Sequence, residues 1–367
     1  MSISPHFHSL KVSNISPEAA GSVAIALHIP EHLLGTFEFQ PGQYLTLRAD
    51  INGDDVRRSY SICCTPSHLA KNHELVVGIR PMENGVFSNW AANDLKEGDT
   101  LVVMKPDGRF VSRRPHALHR VGFAAGSGIT PILSIMSSTL EEQADSKFTL
   151  IYGNRSMASV MFSEALQDLK DRYRDRLTLI HILSRQAQES DLLQGRIDGD
   201  KVRAIIDALL PVGSMDEVFI CGPEVMIEAT EKALLAAGVP AGRVHTERFT
   251  SPTLEALTPA DRQAAVAGHK LPASGKVALT IMLDGKPHEL QMSPEQRVLD
   301  VALASGLDLP WSCKGGVCCT CRAKVMEGSV QMDKNFGLEA WETEKGFVLS
   351  CQARPTSERL VVSYDER

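Results

Sequence analysis

Hydrophobic and polar positions change their rhythm twice along the chain. Up to about residue 115, short runs alternate residue by residue and are broken by turn formers: SVAIALHI (22–29), QYLTLRA (43–49) and ELVVGIR (74–80). A period of two, with turns such as Asn52-Gly53, predicts an antiparallel sheet or small barrel. One short helical stretch, FSNWAAND (87–94), interrupts it. From about 116 to 250 the rhythm becomes strand then helix: RVGFAA with ITPILSIMSSTL, and KFTLIYG with VMFSEALQDLK. RLTLIHIL, EVFICG and RVHTERF follow, with helical segments between. Repeated βα units imply a parallel sheet covered by helices. Residues 251–275 carry Pro, Ala and Gly without a clear apolar period and predict a linker. The last block, 276–367, offers two strands (VALTIML, HELQM), an apolar helix (VLDVALAS), a cysteine-rich stretch and a strand, LVVSY. The pattern therefore predicts three domains, 1–115, 116–250 and 276–367, of mixed α+β and α/β class.

Composition narrows the function classes. The 367 residues carry 38 Lys+Arg against 45 Asp+Glu, a net charge of −7, which argues against a nucleic-acid binder. The N-terminus lacks a basic-then-apolar leader pattern. The longest apolar stretch, Val121 to Met136, is broken by glycines and a proline. The expectation is a cytoplasmic protein with no membrane partner.

Cysteine placement changes the picture most. Of eight cysteines, Cys313, Cys318, Cys319 and Cys321 crowd into one short stretch, and Cys351 follows. The spacing C-x4-C-x2-C, then a distant fourth cysteine, is the plant-type [2Fe–2S] pattern. Two irons each want two protein thiolates beside the bridging sulfides, so the candidate ligands are Cys313, Cys318, Cys321 and Cys351. Gly315 and Gly316 would let backbone N–H groups approach sulfur. A structural zinc site or packed core cysteines are the alternatives; zinc favours paired CxxC units, and only one CxxC occurs here. Cys319 fits no ligand position and reads as a packed residue that could substitute for a lost neighbour.

Two further segments carry candidate chemistry. Arg58-Ser59-Tyr60-Ser61 ends a strand-like run, and Gly85-Val86-Phe87-Ser88 opens a helix. A basic residue and a helix N-terminus suit a pyrophosphate. Tyr60 could stack on an isoalloxazine face and Ser61 could bond flavin N5; a surface arginine beside a strand tyrosine is the plain alternative. Gly126-Ser127-Gly128-Ile129-Thr130-Pro131 follows a strand and opens a helix, with Thr130 as N-cap and Pro131 at the first helical position. Pro131 stands where the dinucleotide fingerprint wants Gly or Ala. Arg155 and Ser184-Arg185 end the next two strands, where an acidic residue would favour NADH; arginines suit a 2′-phosphate and favour NADPH, unless they are solvated loop charges. Cys221-Gly222-Pro223 closes a fourth strand. Glu247 and Phe249, at the end of this block, are either strand-end residues or neighbours of the flavin.

The order RxYS, GxxS, GxGxxP, CGP resembles the ferredoxin–NADP reductase superfamily. With the C-terminal cysteine pattern, the whole chain resembles the reductase components of multicomponent oxygenases. FQPGQYLTLRADINGDDVRRSYSIC, FTLIYGNRS, DLLQGRIDGDK, FICGP, CKGGVCCTCRAKVMEGSV and GFVLSCQ resemble the reductase subunits that serve phenylacetyl-CoA epoxidases, di-iron monooxygenases of aerobic phenylacetate breakdown. The resemblance implies an antiparallel-barrel FAD domain, an NAD(P) domain and a β-grasp ferredoxin domain, loaded with FAD, one [2Fe–2S] cluster and NADPH. It implies an oxidoreductase that passes a hydride from NADPH to FAD, then single electrons through the cluster to the oxygenase subunits of an epoxidase complex. By position, Arg58, Tyr60 and Ser61 would bind the flavin and its phosphates. Ile79 and Arg80 would offer main-chain contacts to it, and Gly85 and Ser88 would hold the pyrophosphate. Gly126, Gly128 and Thr130 would receive the dinucleotide, Ser184 and Arg185 its 2′-phosphate. Ser61, Cys221 and Glu247 are the catalytic candidates, with Cys221 near the reactive ring. Cys64 departs from the Ser or Thr often found after YSxx, which weakens one flavin contact. The reductase of a ring- or steroid-hydroxylating oxygenase shares every motif; a non-enzymatic redox sensor or zinc-built binding module is the rival from another class.

Overall fold

A computed structural model describes residues 6–249 and 275–366 of the chain. The linker expected at 251–275 lies, apart from Gly275, outside the described residues. The chain divides into two units, Met1–Glu247 and Arg248–Arg367.

The first unit contains two sheets. The antiparallel one is built from β1 (Phe7–Pro17), β2 (Val23–His28), β3 (Tyr44–Ile51), β4 (Asp54–Ser61), β5 (Glu74–Ile79) and β6 (Thr100–Met104), in the order β4-β3-β6-β1-β2-β5. Alternation turns one face of every strand into a shared core that includes Leu10, Ile25, Leu45, Leu47, Val77 and Val103. The β3–β4 hairpin is closed by Asn52 and Gly53, both at positive φ (58° and 88°), the geometry that a tight hairpin turn demands and Asn-Gly supplies. The sheet curls: just past β4, Ile62 bridges to Val77 of the opposite edge strand and the Cys63 N–H donates to the Val76 carbonyl at 2.9 Å. Two helices sit in the loops, α1 (Pro66–Asn72) and α2 (Val86–Asn93). The hydrophobic pattern predicts α2 only. Yet α1 carries its own start signal, since the Thr65 hydroxyl accepts the His68 N–H and Pro66 opens the first turn.

The parallel sheet contains β7 (His119–Ala125), β8 (Lys147–Asn154), β9 (Leu177–Leu183), β10 (Glu217–Cys221) and β11 (Val244–Glu247), in the order β11-β10-β7-β8-β9. Its central strands are buried almost throughout, which is why they read as continuous apolar runs. Helices α3 (Ile129–Glu142), α4 (Ser163–Arg172), α5 (Gly199–Leu209) and α6 (Glu224–Ala236) connect the strands. Residues Ile129 to Leu140 of α3 are all buried, so this helix is apolar nearly all round rather than on one stripe. It packs on the parallel sheet, and the Ser134 hydroxyl donates to the Cys64 carbonyl of the antiparallel region at 2.6 Å. The two sheets of this unit thus share α3.

At the amino end of the parallel sheet lies a buried ion pair. Arg120 Nε donates to Glu217 at 3.0 Å, and Glu217 also accepts from Ser112 Oγ (2.6 Å) and the Arg113 N–H (2.7 Å), with His245 at 3.2 Å. Burial raises the Glu217 pKa, but the four hydrogen bonds outweigh it and bring the group down to about 2.

The second unit pairs β12 (Val277–Leu283), β13 (Lys286–Met292), β14 (Arg322–Glu327), β16 (Phe347–Leu349) and β18 (Arg359–Ser363) in the order β13-β12-β18-β14-β16; β15 (Val330–Met332) and β17 (Ala353–Pro355) form a separate two-stranded ribbon. Helices α7 (Val298–Ala304) and α8 (Ala340–Glu344) accompany them. α7 contributes Val298, Leu299, Val301 and Ala302 to a core with Leu279, Ile281, Leu360 and Val362. The parallel β12–β18 pair between two hairpin-like arms is the β-grasp arrangement expected from the resemblance.

Candidate functional sites

In the antiparallel sheet, the predicted flavin residues converge from three elements. Arg58, Tyr60 and Ser61 end β4, Ile79 ends β5 and Arg80 follows it, and Gly85 caps α2. Phe87 ties them together: its ring lies 5.6 Å from Tyr60 and 5.5 Å from Trp90. Tyr60 is held neutral, since burial raises its phenol pKa far more than Arg58 lowers it. Ser88 Oγ accepts the Met82 N–H at 3.1 Å, folding the 82–85 turn back onto the start of α2. A Cβ at Gly85 would meet Ser88 Oγ at 2.4 Å, so a larger residue there would have to turn the hydroxyl away from the Met82 N–H. Cys64, the departure from the expected hydroxyl, turns its sulfur to the Val76 N–H at 3.4 Å, and burial pushes its thiol up to about 12.

The second constellation stands at the carboxyl ends of the parallel strands, where the strand order reverses between β7 and β10. Gly126–Gly128 form a turn after β7, and a Cβ at Gly128 would lie 2.1 Å from the Cys221 carbonyl oxygen. Backbone therefore meets backbone across the crevice. Thr130 is not the N-cap that the sequence predicts. The helix begins at Ile129 with Gly128 as its cap, because the turn before it is already helical, and the Thr130 hydroxyl donates back to the Ser127 carbonyl at 3.0 Å. Pro131 is accordingly the third helical residue, not the first. Cys221 is fully buried at the end of β10, paired in register with Glu247 of β11. Burial first, then the Glu247 carboxylate, keeps its thiol protonated. Phe249, two residues past β11, is exposed.

Arg155 and Ser184-Arg185 come from different loops but meet. The Ser184 N–H donates to the Asn154 carbonyl (2.9 Å) and the Arg185 N–H to the Arg155 carbonyl (2.8 Å), extending the β8–β9 ladder into the loops. Both guanidinium groups are on exposed residues, and neither has a carboxylate partner among the described residues. Sequence reasoning missed Tyr152. It is fully buried on β8, and its hydroxyl donates to the Gly126 carbonyl at 2.8 Å, fixing the glycine turn from below.

In the second unit, the loop between α7 and β14 carries Cys313, Cys318 and Cys321, and Cys351 follows β16. The thiols meet in two pairs, Cys313 with Cys318 and Cys321 with Cys351, each within hydrogen-bond reach. No group of three or more His, Cys, Asp or Glu side chains among the described residues is placed to hold one metal ion. Four thiols, three from one loop and one from beyond a distant strand, supply two sulfurs for each iron of a two-iron cluster. The hydrogen bond from its partner thiol lowers the Cys313 pKa below the usual thiol value, aided by the Gly315 N–H on its sulfur at 3.3 Å. Cys351 is lowered in the same way by Cys321, with Gln352 Nε2 3.4 Å from its sulfur. The loop reaches this shape through positive φ at Lys314 (49°), Gly316 (81°) and Cys319 (57°). Cys319 is packed beside Gly337, where an added Cβ would come within 2.4 Å of its sulfur.

Comparison with known proteins matches three families in order along the chain. Residues 11–111 match the oxidoreductase FAD-binding domain, 123–232 the oxidoreductase NAD-binding domain and 281–356 the 2Fe-2S iron-sulfur cluster binding domain. The chain is 42% identical over 365 residues to the E component of the 1,2-phenylacetyl-CoA epoxidase of Escherichia coli (strain K12), covering 98% of each. It is 35% identical to the ferredoxin reductase component of 3-ketosteroid-9-alpha-monooxygenase from Rhodococcus rhodochrous, covering 97% of this chain and 96% of that one. The chain belongs to the flavin- and iron–sulfur-dependent reductase components of oxygenases. This oxygenase reductase shares the fold of phthalate dioxygenase reductase, with a TM-score of 0.59 at 21% identity over 97% of this chain and 98% of that one. It is an oxidoreductase with FAD, nicotinamide-nucleotide and [2Fe–2S] domains in one chain, and the thiol pairs fit the cluster. No helix among the described residues is long and apolar enough to cross a membrane.

Proposed function

We propose that this reductase carries electrons from NADPH, through FAD and the cluster, to the di-iron oxygenase of a phenylacetyl-CoA epoxidase in phenylacetate breakdown. One observation carries the reading: end-to-end identity of 42% to a component of such an epoxidase, above the 35% to a steroid-oxygenase reductase. When bound, FAD accepts a hydride from the nucleotide and the [2Fe–2S] cluster relays its two electrons one at a time.

The chain's own residues place and insulate these groups. In this reading residues 1–115 hold the flavin, 116–250 the nucleotide and 276–367 the cluster. Tyr60 offers its neutral ring to the flavin face, Ser61 its hydroxyl to N5, Arg58 its charge to the phosphates, and Ile79 and Arg80 their main chain. Gly85 and Ser88 shape the start of α2 for the pyrophosphate. Gly128 keeps the crevice floor low, so that the nicotinamide can lie against Cys221, whose neutral buried thiol adds no charge beside the reacting ring. Glu247, paired in register with Cys221, borders the same place. The choice of NADPH over NADH is supported by Arg155 and Arg185, brought side by side on a shared ladder with no carboxylate to neutralise them among the described residues.

The test is NADPH-driven oxidation of phenylacetyl-CoA by the matching oxygenase subunits, with and without this chain. Product formed only when the chain is present supports the reading. Reduction of flavin and cluster without product removes the epoxidase as partner.

A further inference from the structure

One strand of the antiparallel sheet carries a glycine where its neighbours carry side chains. Gly78 is buried in β5, one residue before Ile79. A Cβ there would lie 2.8 Å from Thr130 Cγ2 and 2.8 Å from Phe162 Cζ. Two residues of the parallel-sheet region therefore fill the space of the missing side chain, the close approach that a glycine inside a strand permits. Ala24, opposite Gly78 in the β2–β5 ladder, and Val76 pack against the same cluster that contains Phe162. The ring thus sits in a dent of small residues. Phe162 itself is unusual: a buried aromatic with left-handed backbone (φ 58°, ψ 32°), a region that bulky residues avoid, immediately before α4. Its N–H, left without an intrahelical partner at the helix start, donates to the Glu18 carboxylate at 2.7 Å. Glu18 follows β1, so the antiparallel sheet both receives the ring and holds the backbone behind it.

We propose that Gly78, Phe162 and Glu18 act together as a spacer that sets how closely α3 and its glycine turn approach β5, and so the distance from nicotinamide to flavin at hydride transfer. This rests on the reading that β5 borders the flavin and that the turn at 126–128 receives NADPH. The three are positioning residues, acting through the backbone of the two sheets. The proposal also accounts for the left-handed Phe162: its backbone is held there by Glu18 because its ring must reach Gly78.

The experiment is stopped-flow reduction of the FAD-loaded full chain by NADPH, read together with the long-wavelength charge-transfer absorbance of reduced flavin and bound NADP+. Gly78→Ala should lower the limiting rate at saturating NADPH about tenfold or more, and leave the Kd for NADPH within about twofold. The charge-transfer absorbance should weaken in parallel. The triple variant Gly78→Ala, Thr130→Ser, Phe162→Leu removes the two atoms that the new methyl meets and keeps the hydroxyl at residue 130. It should recover most of the rate and of the absorbance. Glu18→Ala should lower the limiting rate in the same direction, whereas Glu18→Gln, whose amide oxygen still accepts the Phe162 N–H, should not. If Gly78→Ala fails to load FAD, the two Glu18 variants decide alone. An unchanged limiting rate in Glu18→Ala overturns the proposal. So does a Gly78→Ala chain that loses NADPH affinity but not rate, or a triple variant no better than the single one. An unaltered chain that NADPH fails to reduce would instead overturn the proposed function itself, before any variant is made.

Discussion

The crevice at the carboxyl ends of the parallel strands and the cysteine loop solve one problem, close approach of backbone and side chain at a candidate site, by opposite means. The crevice is assembled from the ends of regular elements: β7, β8, β9 and β10 stop at the same edge, and short turns finish the job. Its shape is inherited from a sheet whose central strands are buried on both faces. The cysteine loop has no regular element between α7 and β14, and obtains its shape from three left-handed residues and from hydrogen bonds to sulfur. A scaffolded site should resist the loss of a side chain; a loop organised around thiols should not.

The largest effect tests the loop. Cys351→Ser should abolish the iron–sulfur absorbance and acid-labile sulfide, and with them electron delivery to the oxygenase. Reduction of the flavin by NADPH should persist, because its residues lie in the other unit. Loss of flavin reduction as well would break the comparison.

The next effect, about 3 kcal/mol, tests the scaffold at the end of the sheet opposite the crevice. Glu217 has a folded pKa of about 2, below its ordinary 4.5. Its contribution is therefore complete above about pH 4.5 and is lost as pH falls towards 2. Thermal melts should show Glu217→Gln well below the parent at pH 6, with the gap closing through that window. A gap independent of pH would mean that the ion pair does not hold the sheet.

The smallest effect is on coenzyme choice. Arg185→Ala should lower the preference for NADPH over NADH about tenfold, as the ratio of kcat/KM values, with flavin content unchanged. An unchanged ratio would show the arginine to be a solvated charge.

The same contrast explains what was legible in the sequence. The iron–sulfur domain could be read because its signal is local: the cysteine spacing points to it, and residues 281–356 match that family. The parallel sheet was legible as well, since fully buried strands read as apolar runs. Tyr152 was not, because its partner, Gly126, lies 26 residues away on another strand, and inside an apolar run a tyrosine looks like packing. Thr130 was misassigned because a threonine before Pro looks like a cap, whereas the helical turn at Gly126–Gly128 had already begun the helix. Strands β14 to β17 went unread because they are short and lack sustained alternation. The meeting of Arg155 with Arg185 could not be read from either loop alone; it is a property of the ladder between them.

That ladder has a further consequence. The bonds joining the two loops run from amide to carbonyl, and they do not depend on which side chains the loops carry. Residues 155 and 185 can therefore be exchanged without moving the backbone beneath them. If these two positions choose the coenzyme, as proposed above, descendants of such a chain can change electron source one substitution at a time, and coenzyme preference becomes a trait inherited separately from the crevice beneath it.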